Sequence, residues 1–99
     1  MDYRLDVTPE ALEDLLGISA YIAQDSPKRA YSFVEELKLR MTNLLVSFPN
    51  TGRKFGGMRI LNIGNYVILY RVDEPAKTVT VLLVTEGHRD WQDLLDDRL

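Results

Sequence analysis

Two apolar runs, Met58–Ile63 and Asn65–Val72, lie either side of Gly64-Asn65 and set the pattern of the chain. Both are rich in β-branched, aliphatic and aromatic residues, which predicts strands, and a two-residue break with glycine first predicts a hairpin. With Gly64 at the positive-φ position of a type II′ turn, Ile63 faces Tyr66, Leu61 faces Ile68, Ile60 faces Leu69 and Arg59 faces Tyr70. One face of the hairpin then carries Arg59, Leu61, Ile63, Tyr66, Ile68, Tyr70 and Val72. The other carries Met58, Ile60, Asn62, Val67, Leu69 and Arg71. A hairpin with one wet face alternates apolar and polar residues; this one is largely apolar on both, so each face requires a cover.

The rest of the chain supplies the first cover. Asp2–Val7 alternates, with Tyr3, Leu5 and Val7 on one side, and predicts a short strand. Thr8-Pro9-Glu10 is a helix start, with Thr8 as N-cap, Pro9 in the first position and Glu10 complementing the dipole. Over Pro9–Gln24, residues Ala11, Leu12, Leu15, Leu16, Ile18, Ser19, Ile22 and Ala23 fall in an arc of roughly 160°, wider than one helix partner needs. Asp25-Ser26-Pro27 repeats the start signal, and a second helix follows over Pro27–Phe48 with Ala30, Val34, Leu37, Met41, Leu44 and Phe48 along its seam. The short connection makes the pair an antiparallel helical hairpin. Pro49-Asn50-Thr51-Gly52 ends it, and Arg53–Gly57 reads as a loop. Beyond a turn on Glu74-Pro75, Thr78–Glu86 predicts a central strand, apolar on both faces over Val79–Val84. Asp90–Leu99 predicts a short acidic helix with Trp91, Leu94 and Leu95 on one side. The fold class is α+β: an N-terminal strand, an antiparallel helical hairpin packed on a mostly antiparallel sheet, and a short C-terminal helix.

Size and composition narrow the function classes. A chain of 99 residues with 45% hydrophobic and 27% charged content makes a single domain over 1–99 with one modest core. The absence of cysteine excludes a disulfide framework and a thiolate metal site and permits a reducing cytoplasm. The N-terminus is charged where a signal peptide is apolar, and no run is long enough to cross a bilayer. A net charge of −3 argues against a life on phosphate backbones.

Candidate chemistry is sparse. His88 is the single histidine, so a histidine metal site is unavailable, and Gly56-Gly57 lacks the helix and Lys-Ser/Thr pair of a phosphate loop. The helix acids Glu10, Glu13, Asp14, Glu35 and Glu36, like Asp93, Asp96 and Asp97 in the tail, read as solvated faces. The dense polar stretch is Glu86-Gly87-His88-Arg89-Asp90-Trp91. It reads either as a recognition corner built on Arg89 and Trp91 or as local packing, which for Trp91 is the better reading. Arg59 and Arg71, on opposite faces, read as structural partners in preference to ligand-facing guanidinium groups.

Taken together, several stretches match one family. Thr8-Pro9-Glu10-Ala11, Tyr21-Ile22-Ala23 with Ser26-Pro27 and Ala30, Phe48-Pro49-Asn50-Thr51-Gly52, Gly57-Met58-Arg59, Asn65–Val72 and Gly87-His88-Arg89-Asp90 occur in the order and at the spacing of the ParE/RelE superfamily. The chain resembles those bacterial toxins of type II toxin–antitoxin modules, and within them the ParE branch. The resemblance implies a cytoplasmic toxin, without cofactor, metal or membrane, held by a cognate ParD-like antitoxin of the ribbon-helix-helix type. That antitoxin would carry any contact with operator DNA. It also implies DNA gyrase as the target and no catalytic residues. RNA-cleaving RelE relatives carry a basic cluster at positions that fall here on Met58, Ile60 and Val67, and a tyrosine that falls on Leu95. Arg89 alone keeps a matching charge. Three apolar side chains can neither stabilise a phosphorane nor move a proton. The closing motif departs from many ParE-like sequences, which have histidine where Glu86 stands and a basic residue at His88. The alternatives are a RelE-type ribosome-dependent endoribonuclease using Arg89 with a different cluster, and a toxin fold decayed to an antitoxin sink.

The resemblance supplies a role for the second face. Met58, Ile60, Val67 and Leu69 are expected as an antitoxin-binding floor that the last helix covers only in part, with Leu16 and Ile18 on the wide first-helix stripe as a second strip. Covering a few hundred Å² of it is worth several kcal/mol at ~25 cal/mol/Å², before ordering costs. Arg53, Lys54, His88, Arg89 and Trp91 are the candidate contacts to the target.

Overall fold

The computed structural model describes residues 3–87 and 90–98. Its elements run β1 (Arg4–Val7), α1 (Pro9–Ala23), α2 (Pro27–Ser47), β2 (Arg53–Phe55), β3 (Met58–Ile63), β4 (Tyr66–Asp73), β5 (Thr78–Glu86) and α3 (Trp91–Asp96). The strands form one sheet in the order β1-β5-β4-β3-β2, antiparallel except where β1 lies parallel to β5.

Local chemistry places both helix starts where the caps predict. The Thr8 hydroxyl accepts from the Ala11 N–H at 3.1 Å and the Ser26 hydroxyl from the Arg29 N–H at 3.2 Å, each with proline opening the helix. Gly64 sits at φ +59°, and the β3–β4 register pairs Ile63 with Tyr66, Leu61 with Ile68 and Arg59 with Tyr70, as the turn requires. Where β4 meets β5 the register shifts between Leu69 and Tyr70: Leu69 faces Leu83, Tyr70 faces Val81, and Leu82 has no partner on β4.

Three boundaries differ from expectation. Arg53–Phe55 is a strand, and Gly56-Gly57 is a second two-residue hairpin turn with Gly56 at φ +59°, so the sheet has five strands. The second helix stops at Ser47, and Phe48 turns outward, 65% exposed, instead of closing the seam. The last helix is confined to six residues.

The sheet has a core on each side. Against α1 and α2, Ala11, Leu15, Leu37, Met41 and Leu45 meet Ile63, Ile68, Tyr70, Val79, Val81 and Val84. On the opposite side Ile60, Val67, Leu69 and Leu83 meet Leu95, with Phe55, Met58, Trp91 and Leu94 around them.

Candidate partner-binding surfaces

The hairpin's second face is the apolar floor its alternation predicts, but α3 covers more of it than expected. Ile60, Val67 and Leu69 are 3%, 7% and 0% exposed, and Met58 is half-buried. Leu95 is buried on them, and Trp91 packs its ring edge-on to Phe55 with centroids 5.2 Å apart. The packing reading of Trp91 therefore holds. The floor as a ready-made open surface does not.

A polar tie fastens the far end of α3. Arg98 reaches round the β5 edge, and its guanidinium donates to both Asp14 carboxylate oxygens, at 2.7 and 2.6 Å, and to the Leu82 carbonyl at 2.8 Å. Asp14 also accepts from the Val84 N–H at 2.9 Å. The cause lies in the sheet. β1 pairs with β5 only from Thr78 to Val81, and the Thr8 N–H on the Val81 carbonyl is its last contact. The next outward-pointing backbone groups, the Leu82 carbonyl and the Val84 N–H, would be orphaned without these side chains. The paired carboxylate pushes the Arg98 pKa above its ordinary value. Asp14 is thus a half-buried structural acid and not part of a solvated face. Sequence spacing alone could not show this, because its partner lies 84 residues away.

On α1 the wide stripe divides. Ala11 and Leu15 are buried and Ile18 packs half-buried against the main core, so Ile18 is turned away from the surface on which it was expected. Leu12 and Leu16 are left 47% and 69% exposed. Beside α1 a cleft of about 520 Å³ runs along the outer side of β5, lined by Glu13, Tyr21, Tyr66 and Glu86 as well as the Asp14–Arg98 pair. Burial, then the charges of Glu86 and Tyr21, raises the Tyr66 pKa.

The candidate target contacts are only partly brought together. Arg53 and Trp91 share a hollow of about 350 Å³ with Asn62, Asn65 and Gly87. Lys54 pairs with Arg59 and points to the opposite face, where it lines a separate hollow of about 210 Å³ beside Gly56 and Gly57. His88 and Arg89 lie outside the described residues. Arg59 is structural, as preferred: its guanidinium donates to the carbonyls of Gly52 at 2.7 Å and Asn50 at 3.3 Å. From inside the core the buried Tyr70 hydroxyl accepts from the Gly52 N–H and donates to the Pro49 carbonyl, both at 2.8 Å. This clamp, which sequence reasoning missed, fixes the loop that leads into β2. Among the described residues no group of three or more His, Cys, Asp or Glu could hold a metal ion, and no helix is long and apolar enough to cross a membrane.

Solved structures share this architecture. A chain of the chromosomal ParDE toxin–antitoxin system of P. aeruginosa aligns with a TM-score of 0.70 at 22% identity, covering 85% of this chain and 95% of that one. The RelBE2 toxin–antitoxin complex of Mycobacterium tuberculosis aligns at 0.62 and 24% identity, covering 87% and 92%. A substituted E. coli RelE toxin in its free state aligns at 0.67 and 18% identity over the whole of both chains. No curated protein matches. The fold is therefore that of the ParE/RelE toxins. Over residues 5–91 the chain matches the family described as ParE toxin of type II toxin–antitoxin system, parDE, and it belongs to that family.

Proposed function

We propose that this toxin acts by binding, not by catalysis: it inhibits DNA gyrase and is neutralised by a ParD-like antitoxin of the ribbon-helix-helix type. The observation that carries this reading is the chemistry of the second sheet face. Ile60, Val67, Leu69 and Leu83 form a continuous apolar floor, and none of these four side chains can donate or accept a proton. Met58, Ile60 and Val67 occupy the positions where the resemblance places the basic cluster of RNA-cleaving relatives, so the floor suits an apolar ridge and not a phosphodiester.

In this reading an amphipathic antitoxin segment takes the place of α3 on the floor, and Leu12 and Leu16 on α1 provide a second, already exposed strip. The hollow holding Arg53 and Trp91 offers a cation and an aromatic ring to the target, the residue types that dominate interface energetics. Expression of the chain alone tests the proposal. Growth arrest with induction of the DNA-damage response and gyrase–DNA adducts is expected. Codon-phased cuts in messenger RNA by primer extension would replace it with the ribosome-dependent nuclease reading. Absence of arrest would leave a decayed toxin.

A further inference from the structure

We infer that Asp14 and Arg98 form a latch that sets how readily α3 leaves the second sheet face, an inference that rests on reading the floor beneath α3 as a docking surface. Three features of the geometry point to it. Arg98 lies just past the helix, its backbone N–H on the Leu95 carbonyl at 2.9 Å, so the side-chain tie acts directly on the residue that plugs the floor. Its anchors, Asp14 on α1 and the Leu82 carbonyl on β5, belong to the main body of the fold and stay in place if α3 departs. The opposite end of α3 is held differently, by the Trp91–Phe55 contact, while the Asp90 cap accepts from the Asp93 N–H at 3.4 Å within the helix itself. A helix of six residues has little stability of its own, so its residence depends on contacts at its two ends and on Leu95 between them.

The pair also closes the sheet. A carboxylate on the Val84 N–H and a guanidinium on the Leu82 carbonyl occupy two of the groups a further strand would bond, which hinders strand addition at this edge. Releasing the latch thus uncovers the floor and frees the Leu82 carbonyl, while Asp14 stays on the Val84 N–H.

Trp91, the single tryptophan, reports the state of α3 in the full-length chain. Asp14→Asn keeps an acceptor near Val84 and removes the charge that holds Arg98. It is expected to red-shift Trp91 emission, increase acrylamide quenching and speed amide exchange within α3 by roughly 10- to 100-fold, the range set by loss of a charged hydrogen bond. Exchange in β3 and β4 is expected to stay near the wild-type rate. Glu13→Gln, which leaves every hydrogen bond of the latch intact, is expected to change neither. Two results overturn the inference: α3 exchange unchanged in Asp14→Asn, or α3 and the central strands loosening in equal proportion, which is what a general stabiliser does. Should Asp14→Asn fail to fold, Arg98→Ala, which leaves Asp14 on Val84, decides the matter on the same readouts. All of these are measured on the chain alone, so their failure removes the latch, whereas failure of the docking reading shows as an antitoxin that binds without disturbing Trp91.

Discussion

Replacing Tyr70 with phenylalanine removes one oxygen and isolates two backbone groups. The hydroxyl is fully buried and is the partner of both the Gly52 N–H and the Pro49 carbonyl, at 2.8 Å each. Tyr70→Phe takes this partner from both groups. An unsatisfied buried backbone group costs about 1–3 kcal/mol, and partial relaxation of an exposed loop recovers some of this, so a net loss of about 2–4 kcal/mol is expected. Against a total stability of about 5–15 kcal/mol that is a large fraction. The corresponding fall in Tm for a domain of this size is roughly 10–25 °C, at about 4–8 °C per kcal/mol. Urea unfolding with an unchanged m-value measures it. A loss below about 1 kcal/mol would mean that water reaches Gly52 and that the clamp is not closed as described.

The same residue predicts an alkaline limit. Burial pushes the Tyr70 phenol above its usual 10.0, more than the Gly52 hydrogen bond and the Arg59 charge pull it down. The folded state therefore holds this proton more tightly than the unfolded chain does. That contribution is complete below pH 10 and is lost as pH rises through the folded pKa. Wild type should lose stability steeply above pH 10, and Tyr70→Phe, weaker at neutral pH, should show a shallower alkaline slope.

Further substitutions separate packing from binding. In Gly52→Ala a Cβ would meet the Ile60 carbonyl and the Tyr70 hydroxyl at 2.7 Å, and a destabilisation of about 2–3 kcal/mol by urea titration is expected from the forced shift. Leu16→Glu alters an exposed position, so stability should stay within about 0.5 kcal/mol, while affinity for the cognate antitoxin should fall at least about tenfold by calorimetry. An unchanged affinity removes α1 from the docking surface. Ile60→Lys buries an ammonium on the floor, so it should lower Tm and expose Trp91 before any effect on binding can be read.

The parts of the fold that could be read in the sequence were those governed by neighbours along the chain. Thr8-Pro9 and Ser26-Pro27 carry complete start signals, and Gly64-Asn65 fixes the β3–β4 register because a side-chain period of two leaves no freedom once the turn is set. The second hairpin was legible by the same rule: Phe55-Gly56-Gly57-Met58 is two strand-forming residues around a two-glycine turn, and its basic character masked it. What could not be read were contacts closed over long separations. The Asp14–Arg98 tie and the Tyr70 clamp on Pro49 and Gly52 join residues whose proximity only the assembled sheet creates. The exposure of the floor failed for a related reason. Alternation shows that a face is apolar, but how far a six-residue helix can cover it depends on where Leu95 and Arg98 are anchored.

The two covers of the sheet differ in kind. The main face lies under two long capped helices joined by many internal hydrogen bonds. The second lies under one turn and a half of helix in which Asp90 and Asp93 suit the N-terminus but crowd each other, while Asp96 and Asp97 oppose the dipole at the C-terminal end and no basic residue stands in the last turn. The nearby Asp90 charge, above all, raises the pKa of Asp93. A carboxylate there is thus less welcome than in the open chain, and at neutral pH α3 carries self-repulsion that packing must offset. A floor that needs water excluded, covered by a segment that is a poor helix alone, favours whichever apolar segment binds it better. In the proposed reading an antitoxin helix of ordinary length would compete with Leu95, Trp91 and one guanidinium on those terms, and the apolar face that completes the folded toxin would be the same face by which it is restrained.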